Sequence, residues 1–282
     1  MMIIHDNNQD SQYKHLYNMV PKVNDSIQQN TVNDLLKRLL PNHFKWFNLI
    51  VDHNFIDNNN NDRFSIETKS NRIIQIKGTT GVSVANGIYY YLKNIANCSI
   101  SWSGNQMNKF LNNNDDNGIP IPLESIKITI RDKFRYYQNT CTSSYSNVWW
   151  QWSRWQKEID WMALHGINLP LAFNGQEIVF RKTFLRFNMT IQEIDDYFSG
   201  PAFLAWNRMG NIQTWSGPLS EYWHQYQYQL QLRILERMRN FGMYPVIPGF
   251  AGHVSRYLKR HLENSANISR LTDWNQFGHQ FS

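Results

Sequence analysis

Five side chains stand where they could do chemistry: Asn139, Cys141, Glu177, Trp206 and His253. Glu177 follows the polar turn Asn174-Gly175-Gln176 and is the carboxylate best placed for work at a site. The plainer reading is that it accepts backbone N–H groups at the start of the helix it opens. Trp206 lies in PAFLAWNRMGN (201–211), an aromatic, Gly-punctuated excursion between two expected strands. Its indole could stack on the apolar face of a sugar ring, because loops held on a rigid scaffold carry binding. Asn139 and Cys141 follow an aromatic strand and read, from residue type alone, as a satisfied loop Asn and a small buried thiol. Cys141 makes a poor nucleophile, since no histidine is identifiable as its partner. His253, beside Gly252, could contact a ligand or cap a loop. His165, His253 and His279 have no metal-ligand spacing, and no metal is expected.

The elements around these residues follow from periodicity. Phe134–Gln138 reads as a strand running into a polar loop, and Ser146 or Asn147 can cap a helix carrying Trp155, Ile159, Met162 and Ala163 on one face. His165-Gly166 stops that helix. Ile167–Phe173 is a near-continuous apolar run, read as a strand buried on both faces and ending at Asn174-Gly175. Strand, helix and strand make a β-α-β unit, and polar residues gather beyond the strand ends, where α/β barrels build their sites. A helix over 177–187 stopping at Asn188, a Thr190/Glu193 capping box, a long helix from Ser220 to Asn240, a third buried strand over 244–250 and a helix over 255–262 complete three repeats. A closed (β/α)8 barrel takes about 250 residues, and only about 155 follow the expected linker. The fold class is therefore α/β: a small N-terminal α/β domain, then the first three or so units of an incomplete TIM-type barrel.

Before the barrel, residues 1–29 read as an irregular lead-in and 30–110 as the small α/β domain. Thr31-Val-Asn-Asp34 suits a capping box for a helix through Leu40. Phe44–Val51 reads as a strand, and 64–69 with 72–77 as a hairpin. The turn GTTG (78–81) opening a helix could cradle an anion, although tight strand-to-helix packing is the simpler reading. Residues 111–124 form a linker, and the alternating strand at 126–130 opens the second domain, 125–282.

Composition excludes several classes. Hydrophobic residues make up 41% of the 282 and aromatics 15%, enough for a sizeable core and too many for wholesale disorder. The net charge of +6 is scattered rather than gathered in a stripe, so no nucleic-acid partner is expected. No run approaches the roughly 20 apolar residues of a membrane span. The two cysteines, Cys98 and Cys141, permit one disulfide at most. The start, MMIIHDNNQD, shows no apolar signal-peptide region.

Eight of the eleven tryptophans fall between 149 and 223, seven of them in the long, distinctive segments RYYQNTCTSSYSNVWWQWSRWQKEIDWMALHGINLPLAFNGQE (135–177), PAFLAWNRMGN and TWSGPL (214–219), to which FGMYPVIPGFAGHV (241–254) adds a fourth. These closely resemble the lysosomal alpha-N-acetylglucosaminidase family, loosely from residue 72 and strongly after 125. The resemblance implies removal of terminal α-linked N-acetylglucosamine from heparan sulfate-type glycans, with retention, by two glutamates and without a cofactor. It implies that Asn139, Cys141 and Trp206 line the pocket for the sugar, and it implies a lysosomal location. The family's catalytic glutamates lie beyond Ser282, so the chain is expected to be an inactive fragment when alone. A non-catalytic carbohydrate-binding paralogue and a truncated product without function are the rival readings.

Overall fold

The computed structural model describes Leu16 and residues 19–111, 119–262 and 266–269. The lead-in up to residue 15, the middle of the expected linker at 112–118 and the tail beyond 269 lie outside the described residues. Two compact units result, Met1–Tyr136 with Ile159–Leu169 and Arg237–Tyr244, and Tyr137–Glu158 with Pro170–Glu236 and Pro245–Ser282.

In the first unit, α1 (Asp25–Leu39) begins inside the stretch expected to be irregular. Its cap is Asn24, whose side chain accepts from the Ile27 N–H at 3.2 Å. Thr31, the expected cap, sits in mid-helix and donates to the Ile27 carbonyl. The extra turn is held by Gln28, which donates to the Val23 carbonyl and accepts from the Gly81 N–H, both at 2.9 Å. Local pattern fits either start, and the bond to Gly81 decides.

A four-stranded sheet runs in the order β1 (Phe47–Val51), β3 (Ile74–Gly78), β2 (Arg63–Thr68), β4 (Ile126–Thr129). A single turn of 3-10 helix over Phe44–Trp46 delays β1 relative to its expected start at Phe44. The expected hairpin is present as antiparallel β2 and β3, while β1 pairs with β3 in parallel. The strand expected to open the second domain is instead β4, antiparallel to β2 with Ile128 opposite Phe64. Helix α2 (Gly81–Asn94) packs with α1 on this sheet, burying Val82, Ala85, Ile88 and Leu92 against Phe64, Ile74 and Ile76. The GTTG turn is a packing device. Its N–H groups are consumed by Gln28 for Gly81, by the Phe241 carbonyl for Val82 and by the Thr80 hydroxyl for Ser83, which leaves none of the three for an anion. A short α3 (Met107–Leu111) buries Met107 and Phe110.

Three parallel backbone segments carry the remainder. Leu169 donates to Arg135 and Leu171 to Tyr137, so donors and acceptors advance together as parallel strands require, in β5 (Tyr136–Tyr137) and β6 (Leu169–Pro170). Leu171 then bridges Val246 in parallel. These pieces are shorter than the runs expected from sequence. The third segment, expected to be buried, leaves Ile247 62% and Phe250 76% exposed. Val246 is hydrogen-bonded to Pro170 and Ala172 on one side, and among the described residues no strand pairs with the other. No closed barrel forms among the described residues.

The connecting helices divide into predicted and unpredicted starts. α4 (Thr142–Tyr145) and a 3-10 turn at Asn147–Trp149 precede α5 (Trp152–Leu164), which starts later than Ser146/Asn147 would set it. Ser146 donates to the Asn147 side chain instead of capping. Trp150 is extended (φ −77°, ψ 133°), its ring edge-on to Trp155 and covered by the Arg154 guanidinium at 4.0 Å. Trp149 is 59% exposed. α6 (Glu177–Arg186) stops before Asn188 at φ 59°, and α7 (Ile191–Asp195) opens on the predicted Thr190/Glu193 capping box. α8 (Leu204–Arg208) lies within the aromatic excursion, where a loop was expected. The Ser220 hydroxyl accepts from the Trp223 N–H at the start of α9 (Glu221–Asn240), and α10 (Leu258–Leu262) follows. Phe184, Ile194, Tyr197, Phe198, Leu204 and Leu258 share one core cluster.

A methyl group on Gly81 would lie 2.8 Å from the Phe241 carbonyl oxygen, whereas one on Gly104 meets nothing within 4 Å. Gly81→Ala should therefore cost about 1–3 kcal/mol in urea unfolding, and Gly104→Ala about 0.5 kcal/mol or less. Equal losses would contradict the close approach at Gly81.

Candidate active-site wall

The turn after β5 begins the site. Asn139 is exposed, and its side-chain oxygen accepts from the Cys141 N–H at 2.8 Å, closing an Asx turn that leads into α4. Cys141 is half-buried rather than a buried thiol, and neither it nor Cys98 is disulfide-bonded. The next two serines point into the fold. Ser144 accepts from the Ala205 N–H at 2.8 Å, in a buried contact with α8, and Ser143 accepts from Arg208 Nη1 at 3.1 Å. The rings of Tyr145 and Trp206 meet edge to face with centroids 5.6 Å apart. Asn207 pins the opposite side of α8 by donating to the Tyr197 and Ile212 carbonyls, both at 2.9 Å.

Glu177 does not cap its helix through backbone N–H groups, nor does it face an opening. Its side chain is 3% exposed and accepts from Arg208 Nε at 2.7 Å through Oε1. The Arg208 guanidinium also lies over the Phe173 ring at 4.8 Å. Glu177 Oε2 and both ring nitrogens of His224, which is 1% exposed, have no protein hydrogen-bond partner. Burial pushes the His224 imidazole below the usual histidine value, opposed by the Glu177 charge. Burial, with the Glu177 charge added, pushes the Tyr197 phenol up.

His253 stands against α8's following turn: a Cβ on Gly210 would come within 2.3 Å of its Nδ1. It lines a groove of about 1010 Å³ together with Phe173, Asn174, Gln231 and Phe250. The structure thus brings Trp206 beside the Asn139–Tyr145 segment, sets Glu177 beneath it and places His253 alongside. Arg208, Ser143, Ser144 and His224 were missed by sequence reasoning. Arg208 sits inside the quoted PAFLAWNRMGN segment, but no periodicity links it to a glutamate 31 positions earlier.

Glu158, in the middle of α5, is fully buried, accepting from the Tyr137 hydroxyl at 3.0 Å and pairing with Arg154. In the first unit Asp25, Asp52 and His53 place three potential ligand atoms within 4.8 Å of one another. Asp25 already serves His53, and Asp52 serves Lys77. No helix among the described residues is long and apolar enough to cross a membrane.

Parallel strands joined by helices, with polar and aromatic side chains collected beyond the strand ends, define the α/β-barrel class of enzyme scaffold. Residues 135–282 match the family described as alpha-N-acetylglucosaminidase (NAGLU) tim-barrel domain, and residues 30–113 match the N-terminal domain of the same family. The chain belongs to the alpha-N-acetylglucosaminidase family. It is 41% identical over 256 residues to human (Homo sapiens) alpha-N-acetylglucosaminidase, a match covering 89% of this chain and 33% of that protein. Among solved structures it is similar to a family 89 glycoside hydrolase from Clostridium perfringens in complex with 2-acetamido-1,2-dideoxynojirimycin. That match has a TM-score of 0.80 and 30% identity, over 93% of this chain and 28% of that one. A form of the same enzyme with two Glu→Gln substitutions, in complex with its substrate GlcNAc-alpha-1,4-galactose, gives a TM-score of 0.77 and 31% identity, over 90% and 27%. The chain therefore spans about a third of the length of these relatives.

The depressed His224 value has a sign that can be tested. The folded chain holds His224 neutral where the unfolded chain would take up a proton, so the unfolded state binds more protons below the ordinary histidine value. The His224 contribution to stability should be flat above about pH 6.5 and fall as pH drops below it. The charged groups acting on the ring are Glu177, Arg181, Glu221 and Asp195. His165 is depressed by burial too. Thermal melts should lose Tm on acidification, and His224→Phe should lessen that loss without abolishing it. An unchanged slope in the variant would exclude His224 as a source.

Proposed function

We propose that this chain supplies the N-acetylglucosamine-binding part of a glycoside hydrolase site. The whole reaction is release of terminal α-linked N-acetylglucosamine from heparan sulfate-type glycans, with retention, by two glutamates. One observation carries the reading. Asn139 and Cys141 lie on a segment that the Ser144–Ala205 bond and the Tyr145–Trp206 ring contact tie to the helix bearing Trp206. An aromatic face and polar groups thereby adjoin, as a sugar ring with one apolar face and an N-acetyl group requires. The bacterial relative's complex with GlcNAc-alpha-1,4-galactose supports a substrate of this class. A lysosomal location belongs to the same proposal.

Hydrolysis with retention needs two carboxyl groups about 5 Å apart across the bond to be broken. Glu158 and Glu177 are both buried and committed to arginines. The chain alone is therefore proposed to bind sugar without cleaving it. Titration with N-acetylglucosamine should saturate, and Trp206→Ala should weaken binding about tenfold, equivalent to roughly 1.4 kcal/mol. A chromogenic α-N-acetylglucosaminide should release no product above the buffer rate. Absence of saturable binding would sink the sugar-site reading, and product release would sink the non-cleaving one.

A further inference from the structure

We propose that Arg208 is a positioning residue for the sugar-contacting surface, with Glu177 as its fixed counter-ion. It holds Trp206 in register with Asn139 and Cys141, and the proposal rests on the sugar-binding reading above.

Helix α8 has five residues, too few to keep a direction by its own hydrogen bonds. Its orientation is set by what its side chains and end groups touch. Ala205 and Arg208 are three apart and so share a face. Ala205 donates its N–H to Ser144, and Arg208 reaches Ser143 and Glu177. Trp206 is about 100° round the helix from Ala205, so fixing that face fixes the direction in which the indole points. Asn207 closes the other side.

The bonds from Arg208 join three stretches that are distant in sequence: α4 after the first strand, Phe173 and Glu177 after the second, and the excursion itself. A guanidinium makes this junction better than an ammonium can. Its planar fork donates from Nε to the carboxylate and from Nη1 to the hydroxyl while its face lies on the Phe173 ring. A pair serving only to neutralise charge would have no need of Ser143.

The test compares Arg208→Lys, Ser143→Ala and the double variant Glu177→Gln/Arg208→Gln with the wild-type chain. Three quantities are measured: Tm, affinity for N-acetylglucosamine, and hydrogen exchange at the Ala205 amide. Arg208→Lys keeps the charge, so Tm should stay within a few degrees. Affinity should nevertheless fall about tenfold or more, and Ala205 should exchange at least about tenfold faster. Ser143→Ala should show the same pattern to a smaller degree. The double variant leaves no unpaired buried charge and replaces the lysine variant if that one does not fold. A fall in Tm with unchanged affinity of the folded protein would reduce Arg208 to a structural role and overturn the proposal. Should the wild-type chain fail to bind the sugar, the function reading fails, and Ala205 exchange still decides the clamp: unchanged exchange overturns it.

Discussion

A guanidinium that is 10% exposed can be held in a protein only if its charge is met on several sides, and this requirement organises the second unit. Arg208 is met by the Glu177 carboxylate, the Ser143 hydroxyl and the Phe173 ring. Removing one partner of such a pair alone typically costs roughly 3–5 kcal/mol, because the other charge is left uncompensated. Glu177 is the first residue of α6, on the side of Arg208 where it can accept from the guanidinium Nε. Three loops that share no local interaction are thereby given one common position.

Beneath the loops, backbone pairing supplies the frame. The segments at 135–137, 168–172 and 244–246 exchange hydrogen bonds in parallel, and each must therefore be joined to the next by a crossover. Helices α5 and α9 belong to those crossovers. Side chains beyond the strands' carboxyl ends, Asn139, Cys141, Phe173 and Asn174, fall on one rim as a consequence. The exposure of Ile247 and Phe250 belongs to the same geometry, since Val246 is paired on one side only among the described residues.

Where sequence reasoning succeeded, a local interaction settles the outcome. The Thr190/Glu193 box closes within four residues, Ser220 caps α9 through Trp223, and Asn188 ends α6 in a left-handed conformation. Where it failed, a distant contact overrode a local option of similar energy. Thr31 could have capped α1, but Gln28 bonded to Gly81 extends the helix by more than a turn. Ile126–Thr129 alternates as well for one sheet as for another, and β2 offered an unpaired edge. Ser146 could have capped α5, but the packing of Trp150 on Trp155 and Arg154 keeps the chain extended there.

The candidate site divides on the same line. Asn139, Cys141 and Trp206 were singled out by their positions beyond expected strands and by the resemblance, and the structure ties the segment of the first two to the helix bearing the third through the Ser144–Ala205 bond and the Tyr145–Trp206 ring contact. The roles of Glu177 and Arg208 were not legible, since a carboxylate at a helix start looks alike whether it faces substrate or a buried cation. By itself the sequence determined the α/β class, the repeating strand–helix order and most helix ends, all of which depend on periodicity and capping within a few residues. Only the tertiary structure decided which sheet β4 joins, which way Trp206 faces and what Glu177 pairs with. Those outcomes rest on hydrogen bonds and charge compensation between residues far apart in the chain, and no local pattern encodes such a partner.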